Sequence, residues 1–78
     1  MIELIEYEDD TITLENMGEW IHKLRQEKNL TLDRLSELAG VSTGAINKIE
    51  RGERYPTAYV LFHTMDALGQ ELIVREKR

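Results

Sequence analysis

Two short apolar stripes with helical spacing lie between Thr31 and Gly52, and a turn of three residues separates them. The first stripe begins after Thr31, a residue that favours the N-cap position, and ends at Gly40, where a helix can stop. The second begins after Ser42, another N-capping residue, and ends at Gly52. The apolar positions are Leu32, Leu35, Leu38 and Ala39 in the first segment and Val41, Ala45, Ile46 and Ile49 from the turn onward. This spacing predicts two helices joined by a tight turn, the second and third helices of the chain.

Amphipathic segments flank this pair on both sides. A first helix is predicted to start near Thr13 or near Asn16, which would form a capping box with the glutamate three residues on, and to end near residues 28–29. Its apolar face consists of Leu14, Met17, Ile21 and Leu24. A fourth helix is predicted to start at Pro56, which suits the first helical position, and to end at Gly69. Its predicted buried face consists of Ala58, Leu61, Phe62, Met65 and Leu68.

Both ends of the chain have the residue content of β-strands. Residues 2–7 are rich in β-branched and aromatic residues, and residues 11–12 are expected to begin a short return strand. Residues 71–75 are predicted to form a last strand. The chain is therefore expected to be mainly α with short terminal strands. Its predicted divisions are an acidic N-terminal strand or arm at residues 1–12, a helical domain at residues 13–69, and a C-terminal strand and basic tail at residues 70–78.

Size and composition limit both the core and the chemistry. A chain of 78 residues buries only about 60% of its unfolded surface, so self-association is expected to supplement a small core. Trp20 and Tyr59 fit either that core or a dimer contact. The absence of cysteine excludes disulfides, and two histidines are too few for a structural zinc site. Because neither His22 nor His63 has a nucleophile or a carboxylate at a catalytic spacing, we expect no enzyme activity, cofactor or metal.

The termini and the hydropathy of the chain bear on its location. No apolar stretch reaches the length that a membrane span needs, and the acidic N-terminus is unlike a signal peptide, which begins with basic residues. We therefore expect a cytoplasmic protein with no membrane partner.

The net charge of −5 is unevenly distributed along the chain. Residues 1–16 contain six acidic side chains and no basic one, whereas residues 17–58 contain seven basic and six acidic side chains. Residues 59–78 contain three of each. The distribution of charge, rather than its total, decides whether a surface can attract a polyanion. The acidic total therefore does not exclude a phosphate-binding face on the middle of the chain.

A longer stretch, residues 21–52, resembles the phage repressor/Cro-type helix-turn-helix family, also called the Xre family. Its sequence is IHKLRQEKNLTLDRLSELAGVSTGAINKIERG, and Pro56 and the Ala67-Leu68-Gly69 end of the fourth helix fit the same pattern. The resemblance implies a compact bundle of four or five helices. For function, it implies that the protein is a transcriptional regulator, and more specifically a repressor. It also implies that the third helix enters the major groove of DNA while the second crosses the backbone. A homodimer would then bind inverted-repeat half-sites about one DNA turn apart.

The family's base-reading positions fall on Thr43, Gly44, Asn47 and Lys48 of the third helix. Asn47 can pair with N6 and N7 of adenine, Lys48 can donate to O6 and N7 of guanine, and the Thr43 methyl can contact thymine. Gly44 has no side chain and is expected to contribute little. The expected phosphate-contacting residues are Thr31, Leu32, Ser42, Arg51 and Arg54. The family usually has glutamine at the position of Leu32, so that contact is expected to lack its side chain.

Arg25 and Glu50 match a pair that, in this family, links the first helix to the end of the third. The resemblance therefore implies a structural ion pair that holds the third helix in place. Removal of either partner is expected to destabilise the fold, because the remaining charge would be uncompensated.

The flanks of the motif have a narrower resemblance. Residues 14–21 and 68–74 are similar to the HipB-like antitoxin branch of the family, which is found beside HipA-type kinase toxins. In that branch the C-terminal strand pairs with its symmetry mate, which implies a dimer strand containing Leu72, Ile73 and Val74. The alternative function is therefore an antitoxin, of bacterial or phage origin, that neutralises a partner toxin and regulates its own operon. Such a toxin is expected to dock on the acidic arm and on the first or fourth helix.

Overall fold

The computed structural model describes residue 13 and residues 15–72, and it contains four helices within them. The helices are α1 (Met17–Glu27), α2 (Leu32–Ala39), α3 (Thr43–Glu50) and α4 (Ala58–Ala67). The predicted mainly α helix-turn-helix bundle is therefore confirmed. The predicted N-terminal strands lie outside the described residues, as do Ile73 and Val74 of the predicted dimer strand. Leu72 is described: it has no strand conformation and packs, partly buried, against the helical core.

The N-caps of α2 and α3 are the residues predicted from the sequence. The Thr31 hydroxyl oxygen accepts a hydrogen bond from the N–H of Arg34 (3.0 Å), and the Ser42 hydroxyl oxygen accepts one from the N–H of Ala45 (3.2 Å). Each cap therefore satisfies a first-turn N–H that has no acceptor within its helix. Gly40 ends α2 with a φ of 70°, a left-handed conformation that favours glycine.

The helix α1 has Asn16 at its N-cap position, as one of the two predicted starts had it, but the Asn16 side chain makes no capping hydrogen bond with the helix. The N–H of Thr13 donates to Oδ1 of Asn16 (2.6 Å), and the N–H of Asn16 donates to Oγ1 of Thr13 (3.2 Å). This reciprocal pair has the form of a capping box, a threonine with a polar residue three positions later. It lies about one turn before the box that was predicted between Asn16 and Glu19. The end of the helix is as predicted, with Asn29 in the left-handed region at a φ of 56°.

The fourth helix begins two residues later than predicted. Its N-cap is Thr57, so Pro56 precedes the helix instead of occupying its first position. The predicted buried face is wrong at Ala58 and Phe62, which are exposed, whereas Thr64 is buried. Because each residue advances about 100° around a helix, Phe62 and Thr64 lie on opposite edges of the same apolar face. The edge that carries Thr64 is the one that packs against the rest of the bundle.

The core lies where α2 packs against both α3 and α4, with α1 packed against α3. Its buried members are Ile21, Leu24, Leu35, Ile46, Ile49, Met65 and Leu68. Leu38 belongs to the apolar stripe of the second predicted helix, but it is 48% exposed. Leu35 and Ala39 already occupy the inward face of α2, and Leu38 lies to one side of them. None of the described helices has the length and hydropathy that crossing a bilayer requires.

Candidate nucleic-acid interface

The turn between α2 and α3 is fixed by hydrogen bonds that converge on Ser36. The N–H groups of Gly40 and Val41 both donate to the carbonyl oxygen of Ser36, at 2.9 and 3.2 Å. In return, the Ser36 hydroxyl donates to the carbonyl oxygen of Val41. Val41 is half-buried against the core. The turn is therefore tied both to the end of α2 and to the core, which fixes the angle between α2 and α3.

The four residues predicted to contact bases occupy one side of α3. Thr43 and Asn47 lie about one turn apart, as do Gly44 and Lys48, so the four form two adjacent rows on the helix surface. Gly44 and Lys48 are exposed, and Thr43 and Asn47 are half-buried. The opposite side of the helix is buried in the core. We call this polar face the α3 strip (Thr43, Gly44, Asn47 and Lys48); its contact with bases stays a prediction.

The first residue of the α3 strip is held by a side chain of α2. The Thr43 hydroxyl donates a hydrogen bond to Oδ1 of Asp33 (3.1 Å) across the turn between the helices. This bond also shows that the starts of α2 and α3 lie side by side. Sequence reasoning missed the contact, because it joins residues ten positions apart and depends on the angle of the turn.

The predicted phosphate-contacting residues at the helix starts differ in their surroundings. Leu32 is half-buried and its side chain packs against the core, so only its main-chain N–H is available at the start of α2. Thr31 and Ser42 cap the two helices, and the first N–H groups of each helix have no acceptor within it. Such groups favour an anion. One carboxylate, that of Asp33, already lies at this place.

The basic side chains near the end of α3 are not equivalent. Arg51 forms an exposed ion pair with Glu53, so a phosphate would have to compete with that carboxylate. Lys48 and Arg54 are exposed and have no ion-pair partner within residues 15–72. Their charges are therefore more available to an anion than that of Arg51.

The C-terminal end of α3 is attached to α1 by a charged cluster, which we call the Glu50 clamp (His22, Arg25 and Glu50). Nε of Arg25 donates to Oε2 of Glu50 (2.8 Å), and Nη2 donates to Oε1 (3.0 Å). Nη1 of Arg25 donates to the carbonyl oxygen of Leu30 (2.9 Å), in the loop before α2. Nδ1 of His22 lies 2.9 Å from Oε1 of Glu50. The Arg25–Glu50 ion pair implied by the family resemblance is thus present, and the clamp joins α1, α3 and the loop between α1 and α2.

The centre of the Glu50 clamp is shielded from solvent. The side chains of Glu50 and Arg25 are 5% and 13% exposed. Burial raises the pKa of Glu50, but the hydrogen bonds from Arg25 and His22 outweigh it and hold that pKa below its ordinary value. The hydrogen bond to Glu50 raises the pKa of Arg25. Both groups therefore stay charged at neutral pH. The contact of His22 with Glu50 could not be predicted from residue spacing, because the two residues lie 28 positions apart.

A glycine allows α1 to touch the same end of α3. Gly18 is buried, and a Cβ atom added to it would lie 2.2 Å from the carbonyl oxygen of Ile49 and 3.2 Å from that of Glu50. No side chain fits in that space, so glycine is required for this approach of the two main chains. Sequence reasoning missed Gly18. The available signal was a glycine inside an amphipathic helix, which weakens the helix and often marks a close packing contact.

The α3 strip and its surroundings contain several hydrogen-bond donors. They are the amide of Asn47, the charged groups of Lys48 and Arg54, and the first N–H groups of α2 and α3. Such donors can bind phosphate oxygens and the acceptor atoms of base edges. Among the described residues, no group of three His, Cys, Asp or Glu side chains is placed to hold a metal ion.

Known proteins are similar in sequence to this region. The HTH_3 family, described as a helix-turn-helix, matches residues 21–72. The HTH-type transcriptional repressor RghR of Bacillus subtilis (strain 168) is 42% identical over 41 residues, which are 53% of this chain and 30% of RghR. The uncharacterized HTH-type transcriptional regulator y4dJ of Sinorhizobium fredii is 36% identical over 53 residues, which are 68% of this chain and 69% of y4dJ.

Solved structures share the arrangement of the helices. An HTH_3 family transcriptional regulator from Vibrio cholerae superposes with a TM-score of 0.70 and 31% identity, over 74% of this chain and 33% of its own. The clp gene regulator ClgR from Corynebacterium glutamicum superposes with a TM-score of 0.69 and 30% identity, over 77% of this chain and 64% of its own. The chain thus spans about a third of the length of RghR and of the Vibrio regulator.

Proposed function

The chain belongs to the HTH_3 helix-turn-helix family, and on that basis we propose that it is a DNA-binding transcriptional regulator that represses its target genes. The observation that carries the proposal is the α3 strip, a polar helix face held by the turn after α2 at one end and by the Glu50 clamp at the other. The major groove is about 12 Å wide and admits one helix presented in this way. The description of RghR as a repressor supports the same role.

In this proposal α3 lies in the major groove and α2 crosses the DNA backbone. Asn47 pairs with N6 and N7 of adenine, and Lys48 donates to O6 and N7 of guanine. The first N–H groups of α2 and α3 donate to phosphates, and Arg54 adds a positive charge beside the groove. Base contacts then supply selectivity, and phosphate contacts supply the register of the protein on DNA.

The regulator acts as a homodimer on an inverted repeat. Two copies related by a two-fold axis place their α3 helices in half-sites about 34–36 Å apart. A core of this size also favours self-association. We propose that the dimer contact lies in the C-terminal segment, because the resemblance to the antitoxin branch implies a pairing strand there. Deletion of residues 73–78, which leaves Leu72 in the core, is therefore expected to halve the mass measured by light scattering, and an unchanged mass contradicts this contact.

Binding to selected DNA tests the proposal. The wild-type protein selects duplexes from a random library, and its affinity for the selected duplex is measured by fluorescence anisotropy at several salt concentrations. We expect salt-sensitive binding that Asn47→Ala or Lys48→Ala weakens by about 1–3 kcal/mol. Lys28→Ala is the matched control, because Lys28 lies beside Gly69 at the ends of α1 and α4. A wild-type protein that selects no sequence and shows no salt-sensitive binding overturns the proposal.

A second function, neutralisation of a toxin, is favoured by an exposed aromatic face on α4. Tyr59 and Phe62 are 65% and 47% exposed, and the ring centroids of Tyr59 and His63 lie 4.2 Å apart. Aromatic residues exposed in this way suit contact with a protein partner. If the neighbouring gene encodes a kinase-like toxin, the two proteins are expected to co-purify after joint expression. Replacing Tyr59 and Phe62 by serine should then release the toxin while DNA affinity is unchanged. Failure of the wild-type pair to form a complex removes this function.

A further inference from the structure

Asp33 lies beside the α3 strip and has no part in the DNA contacts described so far. It is the second residue of α2, and its carboxylate accepts the hydroxyl hydrogen of Thr43, the first residue of α3 (3.1 Å between Oδ1 and Oγ1). Neither side chain is needed as a helix cap, because Thr31 and Ser42 cap these helices. The bond therefore lies on the surface proposed to face DNA and is not required for either helix to begin.

This bond changes what Thr43 can offer to a base. A free threonine hydroxyl donates to acceptors and accepts from donors, so it contacts several bases equally well. Once its hydrogen is held by Asp33, the hydroxyl has no donor left for a base edge. The apolar part that remains is the γ-methyl, and its matching partner in the major groove is the C5-methyl of thymine. The hydroxyl oxygen can still accept a hydrogen bond from N6 of adenine or N4 of cytosine, and the base pair that offers both such a donor and a methyl is A·T. The hydrogen bond thus converts a residue of low selectivity into one that favours an A·T pair.

The Asp33 carboxylate also opposes binding to phosphate. It places a negative charge at the adjoining starts of two helices, where a DNA phosphate is proposed to bind. A charge at this place lowers affinity for every DNA sequence, so it is unfavourable for a protein that binds DNA without selectivity. A group that lowers general affinity while favouring one base raises specificity.

We propose that Asp33 is a specificity-determining residue that positions Thr43, so that the Thr43 methyl selects a thymine at one base pair of each half-site. The proposal rests on the DNA-binding function proposed above, and it names the base selected by the N-terminal end of the α3 strip. Asp33 acts through Thr43 and is therefore a positioning residue.

Deoxyuridine tests the contact of Thr43, because it differs from thymidine only in lacking the C5-methyl. The probes are the duplex that the wild-type protein selects from a random library and copies of it in which each thymine is replaced in turn. For the wild type, one replacement in the half-site is expected to weaken binding about three- to tenfold. Thr43→Ser keeps the hydroxyl and removes the methyl. It is expected to bind the thymine and uracil duplexes equally at that position.

Two variants of Asp33 separate positioning from charge. Asp33→Ala removes both the acceptor and the charge, so general affinity is expected to rise while the difference between thymine and uracil disappears. Asp33→Asn removes the charge but keeps an oxygen that accepts the Thr43 hydrogen, so affinity rises and the difference remains. Glu37→Ala is the matched control, since Glu37 is an exposed carboxylate of the same helix that pairs with Arg34 (3.0 Å). It is expected to keep the thymine preference, and circular dichroism verifies that each variant is folded.

Distinct outcomes overturn distinct steps. If Asp33→Asn loses the thymine preference as Asp33→Ala does, Asp33 acts by its charge and not by holding Thr43. If no thymine shows a methyl effect that Thr43→Ser removes, Thr43 does not make the proposed contact. A wild-type protein that selects no duplex contradicts the proposed function itself and is recognised before any variant is measured.

Discussion

The two ends of α3 are held in different ways. At the C-terminal end, the Glu50 clamp surrounds a buried carboxylate, and Gly18 lets the main chain of α1 touch that of α3. At the N-terminal end, the helix has the Ser42 cap and one surface hydrogen bond from Thr43 to Asp33. The first end depends on contacts between elements that are distant in the chain. The second depends on contacts within α3 and across a single turn.

Within this helix of eight residues, the C-terminal end is therefore expected to matter mainly for stability and the N-terminal end mainly for DNA recognition. Loss of a buried charge partner costs about 3–5 kcal/mol and crowding of packed main chains about 1–3 kcal/mol, whereas an exposed hydrogen bond contributes about 1 kcal/mol or less. Changes at the C-terminal end should therefore act on folding. Changes at the N-terminal end should act mainly on DNA binding. Substitutions matched across the two ends can test this division.

Removal of the Glu50 carboxylate is expected to have the largest effect. Glu50→Ala leaves the Arg25 guanidinium, which is 13% exposed, without its counter-charge, and this should lower the free energy of unfolding by about 3 kcal/mol. Glu53→Ala is the matched control, because Glu53 pairs with the exposed Arg51 and its loss should cost about 0.5 kcal/mol or less. Urea denaturation followed by circular dichroism measures both. Equal losses would contradict the special role of the buried end.

Acid is expected to weaken the same end of α3. Burial raises the pKa of Glu50, but the hydrogen bonds from Arg25 and His22 lower it by a larger amount. The folded-state pKa therefore lies below the ordinary one. A carboxyl group of this kind contributes stability that is present above its unfolded-state pKa of about 4.3 and is lost as pH falls through the folded-state pKa. The free energy of unfolding should therefore decrease with falling pH below that value. Glu50→Gln should decrease less steeply, and parallel curves for the two proteins would contradict this assignment.

Gly18→Ala tests the main-chain contact at the buried end. The new methyl would lie 2.2 Å from the carbonyl oxygen of Ile49, so α1 must move away from α3. Overpacking of this kind costs about 1–3 kcal/mol and outweighs the gain of up to about 1 kcal/mol in helix propensity. Urea denaturation is expected to show a net loss of stability. A more stable variant would mean that α1 does not approach α3 as closely as the structure shows.

Sequence patterns predicted the local features of α3 better than its contacts with other helices. The Ser42 cap was predictable because a cap depends on the next few residues alone. The bonds from Thr43 to Asp33 and from His22 to Glu50 depend on the turn angle and on helix packing, which no local pattern encodes. The partner of Arg25 came from the resemblance to a family, not from the spacing of the residues themselves.

The errors in α4 have a similar physical origin. The spacing of apolar residues predicts which face of a helix is buried, but it does not decide which of the two edges of that face is covered. Phe62 and Thr64 border the same face, and hydrophobicity favours burial of the phenylalanine. The structure buries the threonine instead, because the position of α4 against α2 decides which edge is covered.

Loss of the Ser42 cap is expected to have a moderate effect that reaches DNA binding. Ser42→Ala leaves the N–H of Ala45 without its acceptor and should lower stability by about 1 kcal/mol. Thr57→Ala removes the equivalent cap of α4 and should cost about the same. Only Ser42→Ala should also weaken binding to the selected duplex, by about fivefold if the whole 1 kcal/mol appears in affinity. Equal DNA affinities in the two variants would show that the first turn of α3 does not contribute to the interface.

Gly44→Ala should have the smallest effect on stability and the opposite sign to Gly18→Ala. A Cβ atom at Gly44 meets nothing within 4 Å. A helix is more stable with alanine than with glycine at an interior position by about 0.5–1 kcal/mol. Replacing glycine by alanine therefore stabilises the N-terminal end of α3 at position 44, and it destabilises the contact of α1 with the C-terminal end of α3 at position 18. If the α3 strip faces DNA, the added methyl should also lower affinity for the selected duplex, and a folding defect cannot explain a loss of affinity in a more stable protein. Unchanged affinity would place Gly44 away from the base edges and leave recognition to Asn47, Lys48 and the Thr43 methyl.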